Sequence, residues 1–393
     1  MSVHRSRSAL SFFPAFIAAF CMILVRSAAA RAAEPDIPKI QAGAERGSIA
    51  EEIKLGTAYL TGQGVARDVK QAAYWYEKAA NSGDPGAQLE IGYFYQAGIG
   101  VDRNPARAAQ WFERASSSGL TGAKVNLGVA YVWGSGVRKD PAFAAQLFRE
   151  AAKRGDGAGA CYLGDMYFFG LGIPQDTSEA IHWFELGSKL HNSMAKFNLA
   201  STLLNQHDHS RDREAVKLLR ESAQAGYVRA KHQLGLMLVM NPAFEDSPGE
   251  AVATLEEAAA AGFWKSSIVL GVLARDGKSG MSLDKKSAYY HFKIATLQGG
   301  ESAVNMLARD LQRLQSELSS SDIQSLDSEA NAWMSKHEHP LEFAVLPAKD
   351  PQGFPAMAME NPDRDFHVGM LFGTPITDGL EETRTPPQMN RHR

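Results

Sequence analysis

A pair of residues, leucine followed by glycine, returns along this chain at a nearly constant interval. It appears as Leu55-Gly56, Ile91-Gly92, Leu127-Gly128 and Leu163-Gly164, then Leu199-Ala200, Leu234-Gly235 and Leu270-Gly271. The spacing is 36 residues, with one step of 35. A fixed period in this range means one supersecondary unit copied many times, and each copy must stack on its neighbours to bury its apolar face. No other feature constrains the fold so strongly.

Other columns keep the same phase. Three residues after the glycine stand Tyr59, Tyr95, Tyr131 and Tyr167, followed by Leu203, Leu238 and Ala274. Alanine fills Ala72, Ala108, Ala144, Ala180, Ala215, Ala251 and Ala288. A large apolar group follows four residues later, as in Tyr76, Phe112, Phe148 and Phe184. Leu55, Gly56 and Tyr59 fall on one face of a helix A, and Ala72, Trp75, Tyr76 and Ala79 on one face of a helix B. Small residues let two helix backbones approach while the aromatic column fills the space beside them.

The connections are equally regular. Gly62-Gln63-Gly64, Gly98-Ile99-Gly100, Gly134-Ser135-Gly136 and Gly170-Leu171-Gly172 mark the turn from A to B. Asp68, Asn104, Asp140, Asp176 and Ser247 are placed to cap helix B, and Pro105, Pro141 and Pro248 follow three of them. Gly83, Gly119, Gly155, Gly226, Gly262 and Gly299 are expected to close it. The array reads as about seven repeats, four regular and three eroded. In the fifth, Asn205 to Arg213 replaces the glycine turn and Leu218-Leu219 replaces Trp-Tyr.

These residues resemble the SEL-one-like repeat (SLR) family, relatives of the tetratricopeptide repeats. The first copy carries the family pattern nearly whole, from Leu55-Gly56 through Tyr59, Gly62, Gly64-Val65, Asp68, Ala72 and Trp75-Tyr76 to Ala79-Ala80 and Gly83. The resemblance implies an all-α, right-handed α/α superhelical solenoid over about residues 47–315. It also implies an adaptor or regulator of other proteins, in a family with many exported bacterial members. A cysteine-rich branch linked to penicillin binding staples each repeat with disulfides. This chain holds only Cys21 and Cys161, so that branch contributes nothing. Cys161 sits among apolar helix residues and reads as a small buried hydrophobe.

The resemblance also points to a binding face, since tetratricopeptide repeats line their concave side with helix A residues between the packing columns. Carried over by position, Tyr93, Val129, Trp133, Phe168, Phe169, Leu204 and Met240 become the candidate partner-binding residues. Two readings stand side by side here: a groove for an apolar or extended peptide, or side chains tucked against the next repeat.

The flanks differ from the array. Residues 1–32 read as a signal peptide: His4, Arg5 and Arg7 precede an uncharged apolar run from Ala9 to Val25, and Ala30-Arg31-Ala32 forms a cleavage pattern. The expected location is periplasmic or secreted, the alternative being an inner-membrane anchor formed by residues 9–25. A linker is expected over 33–46, the seven repeats with the start of a C-terminal cap over 47–315, and a capping helix over 316–336. Residues 337–393 hold eight of the 17 prolines and read as an extended or disordered tail. Its apolar clusters, Phe343 to Leu346 and Met370 to Phe372, offer themselves as an occupant of the groove in cis.

Net charge is −3, and about −7 without the first 32 residues, which argues against a basic nucleic-acid surface. No metal, cofactor or catalytic residue is expected. His207-Asp208-His209 and His337-Glu338-His339 read as solvated loops, and the glycine pairs lie between helices, where they make turns rather than phosphate cradles. The expected function is therefore an exported scaffold for a protein partner, with a regulatory or assembly role in the cell envelope. The alternative is an envelope enzyme or cell-wall ligand binder, for which His182, His207, Asp208 and His209 are the only starting points.

Overall fold

The structure is a computed structural model that describes residues 35–206 and 209–337, and every described element is helical. The signal reading, the C-terminal tail beyond His337, and His207 with Asp208 lie outside those residues. Two compact units divide the described chain: 35–123 with 135–137, and 124–134 with 138–337.

The first unit contains α1 (Ile37–Glu45), α2 (Ile49–Thr61), α3 (Val69–Asn81), α4 (Pro85–Ala97) and α5 (Pro105–Ser117), and the start of α6 (Thr121–Trp133). α2 with α3 and α4 with α5 form the A–B hairpins that the columns predict. The linker expected over 33–46 is instead largely helix. Asp36 caps α1, and its Ala44 is buried in a cluster with Leu55 and Trp75. The physical reason is exposure: the first A–B pair has an apolar outer face, and α1 covers it as a lone B helix. The signal was available, since Ala44 and Gly47 lie 36 residues before Ala80 and Gly83.

The second unit continues α6 and adds α7 (Pro141–Lys153), α8 (Gly157–Phe169), α9 (Thr177–Lys189), α10 (Ser193–Leu204), α11 (Asp212–Gln224), α12 (Val228–Met240), α13 (Glu250–Ala260) and α14 (Trp264–Asp276). α15 (Lys285–Glu317) is two helices joined at Gly300, where φ is 57° and ψ is −141°. That break falls one residue after the expected Gly299, whose added Cβ would meet Ala303 and Trp264 at 2.7 Å, so Gly299 serves packing and Gly300 serves the bend. α16 (Ser320–Lys336) ends the described chain. The start of the expected 316–336 cap thus belongs to the end of α15 and its connection. Lys286–Asp322 at 2.7 Å and Lys293–Asp327 at 3.1 Å tie α16 back to α15 through charge.

One hydrogen-bond pattern builds the A–B turn. Asp68, Asn104, Asp140 and Asp176 cap helix B with their side chains and donate their backbone N–H to the carbonyls of Tyr59, Tyr95, Tyr131 and Tyr167 at 2.7–2.9 Å. The same residue thus opens one helix and closes the loop onto the other. Asp284 does this in the seventh copy, bonding to Ala274. Ser247 does not: α13 starts later, behind Gly249, because a short turn at Pro242–Phe244 takes up the chain first. In the fourth copy His191 holds the position of the closing glycine with φ of 60°, a strained substitute.

The helix A glycine is where the hairpin is tightest. A Cβ on Gly164 would lie 2.5 Å from two ring carbons of Phe184 and 3.2 Å from the Ala180 carbonyl. Phe184 is fully buried and has nowhere to move. In the fifth copy Ala200 takes this place, opposite Leu219 instead of a ring. We expect Gly164→Ala to lower the urea unfolding free energy by about 1–3 kcal/mol despite the better helix propensity of alanine. Gly122→Ala, whose Cβ would meet only Leu89 at 3.9 Å, should be neutral or stabilising in the same measurement.

Candidate interaction surface

The seven candidate residues separate by burial. Tyr93, Val129 and Leu204 are only 7, 6 and 7% exposed, so they leave the candidate surface. The position after the glycine is a seam to the next repeat: Val129 shares a cluster with Tyr162 and Phe148. The Tyr93 ring packs on Phe112 at 5.2 Å, and Leu204 joins the large cluster around α10 to α12. Their apolar character, which suggested a groove, is core packing.

Trp133, Phe169 and Met240 are open, at 40, 38 and 49% exposure. Trp133 and Phe169 are the last residues of α6 and α8, each followed by a left-handed glycine, Gly134 or Gly170. The carbonyl that caps this corner is held from the loop, where Gln175 donates to Phe168 at 2.8 Å. Phe168 is half-buried and meets Phe169 edge-on at 5.1 Å. Two equivalent aromatic side chains therefore stand exposed at the ends of consecutive A helices.

Directly beneath Phe169, one helical turn back on α8, lies Asp165. It is 9% exposed and accepts a hydrogen bond from Asn198 Nδ2 of α10 at 2.8 Å. The same amide approaches Cys161 Sγ at 3.5 Å. Burial pushes the Asp165 carboxyl up to about 8, against the opposing pull of the Asn198 donor. Burial and the nearby Asp165 both push the Cys161 thiol up, which suits an inert core cysteine. The first unit has a related seam: Thr57 and Tyr76 share a hydrogen bond of 2.8 Å, and burial raises Glu90 to about 7. His232 is buried against Ser266 Oγ at 2.9 Å and against the Phe263 ring, and burial lowers it to about 3.

A further column escaped the sequence reading. Four residues before the glycine, helix A faces helix B of its own repeat through an ion pair. Lys78–Glu52 spans 3.0 Å in the first copy, while the polarity reverses in Lys124–Glu150, Lys196–Glu221 (2.6 Å) and Lys231–Glu257 (2.7 Å). The recurring 25- or 26-residue separation of opposite charges was the available signal. His182 is exposed and His209 rests on Asp212 at 3.1 Å. Among the described residues no three His, Cys, Asp or Glu side chains are grouped to hold a metal ion.

Helical hairpins in fixed register, most of them bedded on a glycine–aromatic contact, define an α/α solenoid repeat scaffold, a fold typically used for protein interaction. The Sel1 repeat model matches residues 52–84, 85–120, 122–156, 157–192, 193–227 and 268–300, more than half of the chain. The chain belongs to the Sel1 repeat family. The unmatched stretch between the last two blocks is still a hairpin, α12 with α13, and a Cβ on Gly235 would meet Leu255 at 2.5 Å. A solved Sel1 repeat protein from Oxalobacter formigenes is 26% identical, with 63% of this chain and 98% of that chain covered and a TM-score of 0.55. A protective antigen of uropathogenic Escherichia coli strains with an SLR fold is 23% identical over 81% of this chain and 75% of its own, with a TM-score of 0.40. No curated protein matches the chain.

The raised Asp165 carboxyl carries a signed consequence. Its folded state keeps the proton to about pH 8, whereas the unfolded group ionises near 3.8. Its contribution to stability is full below about pH 4, declines as pH rises, and levels off above the folded value. Asp165→Asn should thus gain on the wild type with pH. Urea titrations should show little difference at pH 4.5 and an advantage of about 1–3 kcal/mol for the variant at pH 8.

Proposed function

We propose that this chain is an exported scaffold that binds a protein partner through the C-terminal ends of its A helices, in a regulatory or assembly role in the cell envelope. The observation that carries the reading is the exposure of Trp133 and Phe169 at equivalent positions of consecutive repeats. Large exposed aromatic side chains are suited to act as binding anchors, because a ring brings much contact area with few rotatable bonds to fix. Neither ring is demanded by packing, since the same column holds Thr61, Ala97, Asn205 and Asp276 elsewhere.

Export rests on the sequence of residues 1–32, whose basic start, apolar stretch and Ala-Arg-Ala ending suit a cleaved signal. Amino-terminal sequencing of the chain purified from its native host should begin at Ala33. A chain that still begins at or near Met1, recovered from the membrane fraction, would favour the anchored form.

The binding reading is tested by crosslinking capture from the envelope fraction, comparing wild type with Trp133→Ala plus Phe169→Ala. The double variant should keep its helical circular dichroism and lose at least one captured partner by 10-fold or more. Retention of every partner at wild-type level would remove the surface from consideration.

A further inference from the structure

Three carboxyl groups lie largely enclosed among the described residues, Glu52, Glu90 and Asp165. Glu52 has the ammonium of Lys78 at 3.0 Å. Among the described residues no cation pairs with Asp165, and the amide of Asn198 donates to it. Half-open acids of the same unit are also provided for, as Glu250 is by Arg220 at 2.9 Å and Asp310 by Arg275 at 2.9 Å. A carboxyl group buried without a counter-charge is an unfavourable arrangement unless it keeps its proton, and of these three only Asp165 has an exposed aromatic residue four positions on, Phe169.

The place of Asp165 on the helix gives the arrangement a use. Residues i and i+4 lie on one helix face, so Asp165 sits one turn below exposed Phe169, with Phe168 beside it. Trp133 holds the position equivalent to Phe169 in the preceding repeat. A cation entering between these groups would meet a carboxylate below and aromatic faces beside it, both of which attract positive charge. An acidic segment would meet a buried negative group, and a wholly apolar one would leave the carboxyl unpaired.

Building on the proposed binding surface, we infer that the partner segment is extended and carries a lysine or arginine flanked by apolar or aromatic side chains. Its cation pairs with Asp165 while its neighbours pack on Phe169 and Trp133. Asp165 and Asn198 then set specificity, and the aromatic rings supply adhesion. The neutral state that burial favours in the free chain fits this role, because the incoming cation replaces the proton.

The test uses a random dodecapeptide phage library panned at pH 7 on the full chain, on Asp165→Asn, and on Trp133→Ala plus Phe169→Ala. Circular dichroism checks that each variant is folded. Peptides selected by the wild type should be enriched at least threefold in Lys or Arg beside aromatic residues. That basic preference should vanish on Asp165→Asn while the aromatic preference remains. The best peptide should release close to one proton on binding at pH 7, read from the buffer dependence of its calorimetric enthalpy, and none on binding Asp165→Asn.

A wild-type pool without basic enrichment, or the same enrichment on Asp165→Asn, overturns the inference and leaves the surface standing. Equal selection by the Trp133→Ala plus Phe169→Ala chain overturns the surface itself. Stronger peptide capture after deletion of residues 338–393, or self-association abolished by Trp133→Ala, would also overturn the inference, because the occupant would then be the chain itself.

Discussion

The contact between a helix A glycine and a ring of helix B sets the distance on which the rest of the array depends. At Gly92, Gly128, Gly164 and Gly271 a single added carbon would lie 2.5–2.6 Å from the facing phenylalanine. The ring can therefore pack directly against the backbone of helix A. Everything placed later along the repeat inherits that spacing: the tyrosine three residues on, the glycine turn, and the acid that caps helix B while clasping the tyrosine carbonyl. A repeat that loses the ring must change its partner as well, as Ala200 and Leu219 show.

Charge adds what apolar contact does not provide, which is a choice of partner. Every A helix offers much the same small and apolar face, so packing alone would tolerate mismatched pairs. Glu52–Lys78 in the first copy and the reversed Lys–Glu pairs in the third, fifth and sixth make some exchanges repulsive. Each such pair is worth little by itself at a surface. Their value lies in discrimination between near-identical alternatives.

The candidate surface arises where these requirements relax. Helix A must bury the stripe ending at the position after the glycine, so Val129, Asp165 and Leu236 are enclosed. One turn farther on the stripe leaves the core, and Trp133, Phe169 and Met240 face water. The same geometry explains why an acid at the buried position is unusual, and why its neighbour is placed for contact. Core and surface alternate along a single helix face at a spacing of four residues.

The repeat length, the helix boundaries, the turns and most caps were legible in the sequence, because each depends on local chemistry that recurs in phase. Glycine after helix A, Asp or Asn before helix B and alanine at the tightest crossing are short-range demands, and the described repeats meet nearly all of them. The covering helix α1 was legible too, though only through Ala44 and Gly47 keeping phase with the later copies. Tertiary structure alone decided which apolar residues are open. Tyr93, Val129 and Leu204 look as suitable for binding as Trp133 and Phe169, and periodicity assigns all five to helix A. Burial depends on what the neighbouring repeat presents, and that is a property of stacking rather than of any one helix. Sequence established the repeat and its period; the seam between consecutive repeats, where Asp165 lost water and gained the Asn198 amide, was settled only by packing.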